Sequence, residues 1–168
     1  MMKKVKVQKL SRDAFRKFGT YAPLIDPFDE EAAGPKEACC VFFRDLLQQE
    51  LNGRSASFST CRVLPRPMKI TEVEFHSHTC ETAVPLDGDA IFWFAPASPG
   101  KAFPADKVEA FYVPRGYAVN CRPGVWHHAA YSVDGKPANV LIVLPERTYA
   151  DDAYCVTLAE DEQIELEL

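Results

Sequence analysis

A chain of 168 residues, 47% apolar and 26% charged, has the make-up of one globular domain, 1–168, and not of a disordered or membrane-embedded protein. Its formal charge of −5, with Lys and Arg scattered along the chain, excludes the basic footprint that nucleic-acid binding needs, so neither DNA nor RNA is an expected partner. The six cysteines (Cys39, Cys40, Cys61, Cys80, Cys121, Cys155) show no Cys-x-x-Cys spacing, the start has lysines but no apolar stretch behind them, and no apolar run is long enough to span a bilayer. These features predict reduced thiols in a cytoplasmic protein without a signal peptide or a membrane contact.

Along the chain, Val5 and Val7 alternate with Lys3, Lys4 and Lys6, which predicts a short edge strand with lysines on its wet face. A short helix follows, capped by Ser11, carrying Ala14, Phe15 and Phe18 on one side and stopped by a left-handed Gly19. Residues 22–37 hold Pro23, Pro27, Gly34 and Pro35 and read as a loop. Residues 38–51 fit either a helix, through Phe42, Leu46 and Leu47, or a buried strand over Cys39 to Phe43. Beyond Asn52-Gly53 the pattern becomes short strands between Pro and Gly turns: 56–63, 69–76, 82–86, 90–95, 108–113, 117–121, 127–133 and 138–144. With no helical crossovers between them, eight such strands predict an all-β sandwich or barrel. The tail alternates Ile164, Leu166 and Leu168 with Glu165 and Glu167, a last edge strand or a frayed end.

Chemistry concentrates around Ile70-Thr71-Glu72-Val73-Glu74-Phe75-His76, where alternation places Glu72, Glu74 and His76 on one face and Val73 and Phe75 on the other. With Glu81 and Gly88 the segment reads Glu-x-His-x4-Glu-x6-Gly. It resembles the first motif of cupins, with Glu74 where that motif usually has its first histidine. Gly116, Pro123-Gly124 and His127 form a counterpart of the second motif. An isolated Glu-x-His in a strand is usually a solvated face; two motifs in order are stronger evidence for a site inside a cupin-type β-barrel, a double-stranded β-helix or jelly roll with a short N-terminal helix.

Residues i and i+2 enter one side of such a barrel, a turn brings Glu81 back to face them, and His127 arrives from a later hairpin. Glu74, His76, Glu81 and His127 would then supply nitrogen and oxygen ligands for a divalent metal such as Mn, Ni, Zn or Fe, with positions open for a small-molecule substrate. A second register, His76-x-His78-x2-Glu81, keeps His78 as a further ligand. Of the adjacent His127-His128 only one enters the barrel, and the turn spacing selects His127. Trp93 and Trp126 read as packing residues, and Cys80 as a filler thiol or a soft ligand.

The chain also resembles the ureidoglycolate lyase family. The phrase Leu10-Ser11-Arg12-Asp13-Ala14-Phe15, ending in Phe18-Gly19, is similar to that family's opening. Glu74-Phe75-His76 followed by Glu81-Thr82-Ala83-Val84-Pro85-Leu86-Asp87-Gly88 is similar to its Glu-Arg-His and Gln-x-Phe-x-Pro-x-x-Gly stretch, and Trp126-His127-His128 to its Trp-His-His. Glu81 stands in place of the family's Gln, Phe75 of its Arg and Ser77 of its Pro, which leaves the exact substrate open and gives a hard cation a better ligand. The resemblance implies elimination of urea from ureidoglycolate to give glyoxylate, with Glu74, Glu81 and His127 in catalysis. Arg62, with Lys69 second to it, is the expected grip on the substrate carboxylate. Other small hydroxy acids or sugars, or a non-catalytic binding role, are the competing readings. Val73 and Phe75 on the outer face of the motif strand predict a homodimer that covers them.

Overall fold

A computed structural model describes residues 3–25, 27, 33–36 and 39–168, of which 33–36 are described by their backbone alone. The elements in chain order begin with β1 (Lys3–Lys9), α1 (Arg12–Phe15), β2 (Gly19–Pro23), β3 (Ala33–Lys36) and β4 (Val41–Phe43). Then come β5 (Ala56–Val63), β6 (Lys69–Ile70), β7 (Glu72–Phe75), β8 (Glu81–Pro85), β9 (Ala90–Phe94), β10 (Glu109–Val113) and β11 (Tyr117–Cys121). The chain ends with β12 (Tyr131–Ser132), β13 (Ala138–Pro145), α2 (Thr148–Asp151), β14 (Tyr154–Thr157) and β15 (Ile164–Glu167).

A six-stranded sheet runs β12-β9-β10-β1-β15-β6, a five-stranded sheet runs β2-β11-β8-β13-β5, and β14-β7 and β3-β4 form two ribbons. This is the expected all-β architecture of curled sheets around a shared core. Two apolar clusters hold it together. One gathers Phe15, Phe18, Phe92, Phe94, Phe111 and Val119; the other is built around Trp93, Trp126, Phe75 and Ile164. β9 shows why both exist: Ile91 and Trp93 enter one cluster while Ala90, Phe92 and Phe94 enter the other, so all five residues are buried. A strand covered on both faces reads as an unbroken apolar run, as Ala-Ile-Phe-Trp-Phe does.

Several local expectations change. β1 lies inside the six-stranded sheet, parallel to both β10 and β15, and not at an edge. Its lysines are accommodated by acids on β15: Lys4 lies 2.6 Å from Glu167 and 3.5 Å from Glu165. β15 is correspondingly an interior strand. The helix is one turn long. Ser11 Oγ accepts from the Ala14 amide at 3.3 Å, and Phe15 and Phe18 are fully buried. Gly19 opens β2 instead of stopping the helix, because a Cβ there would lie 1.8 Å from the Asn120 carbonyl oxygen; close strand approach, not a left-handed turn, demands glycine.

The predicted loop 22–37 contains β3, while its residues 26, 28–32 and 37 lie outside the described residues, as does 38 in the segment left open. Within that segment only Val41–Phe43 is regular, a strand paired with β3. The remainder is a loop in which Gln49 Nε2 donates to the carbonyls of Cys80 (3.1 Å) and Val143 (2.9 Å). The predicted strand 127–133 shrinks to β12, and 69–76 divides at Thr71 into β6 and β7.

Val73 and Phe75 are buried by this chain's own residues. The Phe75 ring lies 4.5 Å from Trp126 and 5.2 Å from Tyr154, on a ribbon partner, β14, that the sequence did not announce. The apolar pair that motivated a homodimer is therefore already covered. No helix among the described residues is long and apolar enough to cross a membrane.

Candidate active site

Three side chains from separate parts of the chain meet at the end of the five-stranded sheet. His76 follows β7, Glu81 opens β8, and His127 lies between β11 and β12. Backbone pairing sets the meeting. Glu74 and His127 form an antiparallel bridge, with N–H to O distances of 2.8 and 2.9 Å in the two directions. The Gly124 amide donates to the His76 carbonyl at 2.6 Å, so the Pro123-Gly124 turn is fastened to the strand that carries His76. Gly124 adopts φ +78°, the left-handed region, and a Cβ there would approach the Ala97 Cβ to 3.0 Å.

The imidazoles are held in one tautomer by carbonyls. His76 Nδ1 donates to the Asp152 carbonyl at 2.6 Å, and His127 Nδ1 donates to the Val125 carbonyl at 2.9 Å. Their Nε2 atoms are thereby turned to Glu81 Oε2, at 3.2 Å from His76 and 3.4 Å from His127. All three ligand atoms fall within 4.8 Å of one another. His127 Nε2 is buried and makes no aligned hydrogen bond. Two buried Nε2 atoms converging on a carboxylate, each ring oriented by a carbonyl on its far nitrogen, form the donor set that a divalent transition metal would take once His127 gives up its proton.

The charges agree with that reading. Burial would raise the pKa of Glu81, but His127 and His76 overcome it and bring the carboxyl down to about 2. Burial works against the His127 cation, yet the Cys121 sulfur and the Glu81 carboxylate outweigh it and hold its pKa well above the ordinary histidine value.

Beside the cluster lies a small, partly open cavity of about 30 Å³, lined among others by Cys61, Phe92, Phe94, Cys121, Ala129 and Ile142. The model of the ureidoglycolate lyase family matches residues 2–167. The chain belongs to the ureidoglycolate lyase family. No curated protein matches it. Among solved structures it is similar to an oxalate decarboxylase of Bacillus subtilis with Mn(II) centres (TM-score 0.45, 19% identity, 64% of this chain and 25% of that one). A vicilin from Solanum melongena (0.40, 16%, 65% and 27%) and a dTDP sugar isomerase from Desulfovibrio desulfuricans G20 (0.44, 16%, 77% and 80%) are also similar. The chain spans about a quarter of the length of that decarboxylase and of the vicilin.

Of the residues singled out in this family member's sequence, His76, Glu81 and His127 come together and the others do not join them. Glu74 is half-buried; its Oε2 accepts from the Cys155 thiol at 3.3 Å, and it stands on the same side of the sheet as its bridge partner His127. His78 is 82% exposed and lies 3.4 Å from the Asp152 carboxylate. His128 turns to Glu72 at 3.6 Å. Arg62 is exposed on β5, where Cys61 and Val63 are the residues that face the cavity, and its charge is felt by Asp87. Lys69 belongs to the other sheet, and its carbonyl accepts from the Tyr131 hydroxyl.

The site also contains residues remote in sequence from its motifs. Asp152 accepts from the Ser77 and His78 amides at 2.7 and 2.8 Å, so its carboxylate ties the 76–79 turn while its carbonyl orients His76. Tyr149 on α2 sits edge-on to His76 with ring centroids 6.4 Å apart. The residue is 62% exposed, but partial burial of the hydroxyl, followed by the charges of Glu81, Glu74 and Cys61, pushes it up to about 12, so it stays protonated at neutral pH. Cys61 and Cys121 line the cavity and had a usable signal in strand parity. Asp152 and Tyr149 had none, being some seventy residues from the turn they contact.

Proposed function

We propose that this protein is a metal-assisted ureidoglycolate lyase, releasing urea and glyoxylate from ureidoglycolate inside the barrel. Family membership over residues 2–167 supports the reaction, and the convergence of His76 Nε2, His127 Nε2 and Glu81 Oε2 carries the site. His76, Glu81 and His127 would hold a divalent cation, and that cation would supply Lewis acidity toward the substrate hydroxyl.

The chemistry breaks one C–N bond. The hydroxyl on the reacting carbon loses its proton and becomes the aldehyde carbonyl of glyoxylate, while the urea nitrogen leaves with the bonding pair and takes up a proton. Glu74, outside the three-residue cluster and on its side of the sheet, is the group to accept the hydroxyl proton. Tyr149, whose hydroxyl remains protonated, is the group to present a proton to the leaving nitrogen. The buried aromatic walls, Phe92 and Phe94, limit the water that can reach the reacting carbon.

Purified protein supplied with Mn or Ni is expected to release glyoxylate and urea in equal amounts from ureidoglycolate. His76→Ala and His127→Ala should abolish both turnover and bound metal. Parent protein that carries metal but produces no glyoxylate would overturn the lyase assignment.

A further inference from the structure

Arg62, the expected carboxylate grip, lies on the outer face of β5, and a second arginine is hydrogen-bonded to the cavity wall at Ala129. Arg66 lies in Leu64-Pro65-Arg66-Pro67, where a proline on each side restricts the backbone and favours an extended conformation at Arg66. Its guanidinium carbon sits 4.1 Å over the Tyr131 ring, and Nη2 donates to the Ala129 carbonyl at 2.8 Å. Tyr131 is itself fixed, buried with its hydroxyl donating to the Lys69 carbonyl at 2.7 Å. Ala129 belongs to the cavity wall.

Its contacts with Tyr131 and with the Ala129 carbonyl leave most of the five guanidinium N–H donors available. Among the described residues no carboxylate lies within ion-pair distance of Arg66. The cavity wall connects Arg66 to the cluster: the Cys61 thiol, which lines the cavity, senses the Arg66 cation and the Glu81 and Glu74 carboxylates. The charge of Glu81 is already balanced within the cluster, so a substrate carboxylate is best met by a separate cation beside the cavity wall, and a guanidinium is suited to gripping two carboxylate oxygens at once.

We propose that Arg66 is the carboxylate-binding residue of this site and restricts it to small 2-hydroxy or 2-oxo carboxylates. The proposal deepens the lyase reading and names the specificity-determining residue of that site. The substrate's charged end rests on Arg66, and the reacting carbon reaches inward toward His76, Glu81 and His127.

Glycolate and its neutral amide, titrated calorimetrically into protein supplied with Mn, separate charge recognition from turnover, because neither has urea to lose. Arg66→Gln should weaken glycolate by about ten- to a hundredfold, the loss expected for a charge-assisted hydrogen-bonded contact, and leave the amide unchanged. Arg66→Lys should fall between, and Arg62→Gln should match the parent. Equal glycolate affinity in Arg66→Gln and parent, equal loss of acid and amide, or a parent that binds no glycolate would each overturn the proposal. Glycolate binding through Arg66 in a protein that leaves ureidoglycolate intact would remove the lyase assignment and retain this one.

Discussion

At the scale of single residues, position relative to the cavity decides role more than residue type does. Arg62 and Arg66 are four apart, yet the first serves the far side of β5. There Asp87 accepts from the Asn139 backbone amide at 2.7 Å and from its side-chain amide, and these bonds, helped by the charge of Arg62, lower the Asp87 pKa below its ordinary 3.8. A carboxyl with a depressed folded pKa contributes stability that is complete above the unfolded value and lost as pH falls through the folded one. Asp87→Ala should therefore melt below the parent at neutral pH, with the gap closing as pH drops under about 4; a gap that persists in acid, followed by circular dichroism, would show that the bonds to Asn139 do not depend on the charge. Tyr149 makes the complementary case. Tyr149→Phe keeps the ring against His76 and removes the hydroxyl, so kcat should fall by about a hundredfold or more with KM little changed, as expected when a general acid is lost; an unaltered kcat would take Tyr149 out of the mechanism.

At the scale of elements, the site is held by turns fastened to distant segments. The 76–79 turn wraps the Asp152 carboxylate, and His76 leans on the Asp152 carbonyl. Asp152→Ala keeps the carbonyl that orients His76 but removes the carboxylate that ties the turn, so metal binding should weaken by about tenfold, the low end of what lost support around a ligand costs, while His127 keeps its own carbonyl partner; metal titration with a chromophoric chelator reads the change, and full affinity in the variant would deny the Asp152 carboxylate a positioning role. The Pro123-Gly124 turn is less forgiving. Gly124→Ala should cost about 1–2 kcal/mol from the left-handed backbone alone, with the Ala97 contact adding to it, and a denaturant melt would measure it. These turns also explain what could be read from the sequence. Alternation in Val73, Glu74 and Phe75, and the Pro-Gly before His127, are local signals, and they marked the strand and the hairpin that deliver the histidines. β14, α2 and Asp152 reach the site only through the folded chain, so no local period announces them. The lysines of β1 suggest a solvent-exposed edge, whereas Glu165 and Glu167 on β15 answer Lys4 across a parallel pair. Gly19 looked like a helix stop because a glycine needed for close strand approach and one needed for a left-handed turn are the same letter.

At the scale of the whole molecule, the cluster exists only when the barrel is closed: the ribbon carrying Glu74 must bridge to His127, and β8 must pair with β11 to present Glu81 opposite Cys121. The unfolded chain has no comparable set of ligands, so a bound cation stabilises the native state through mass action. Without a cation, Glu81 is matched by the raised proton affinity of His127; a cation replaces that proton and gives both Nε2 atoms a direct partner. At a free metal concentration about a hundred times Kd the gain is about 2.7 kcal/mol. For a chain of this size that corresponds to a rise in Tm of about 5–10 °C. Thermal unfolding with and without a strong chelator should show this difference in the parent and lose it in a His76→Ala, His127→Ala double variant, whose own Tm no longer responds to metal. The site's second cation-binding requirement, an ionised Glu81, is met at any pH well above its value of about 2, so the shift should be limited by proton competition at His127 and grow as pH rises above the ordinary histidine range. A chelator that leaves the parent's Tm unchanged, in protein shown by elemental analysis to have carried metal, would mean that the cation sits elsewhere and that Glu81 bridges two histidines for folding alone.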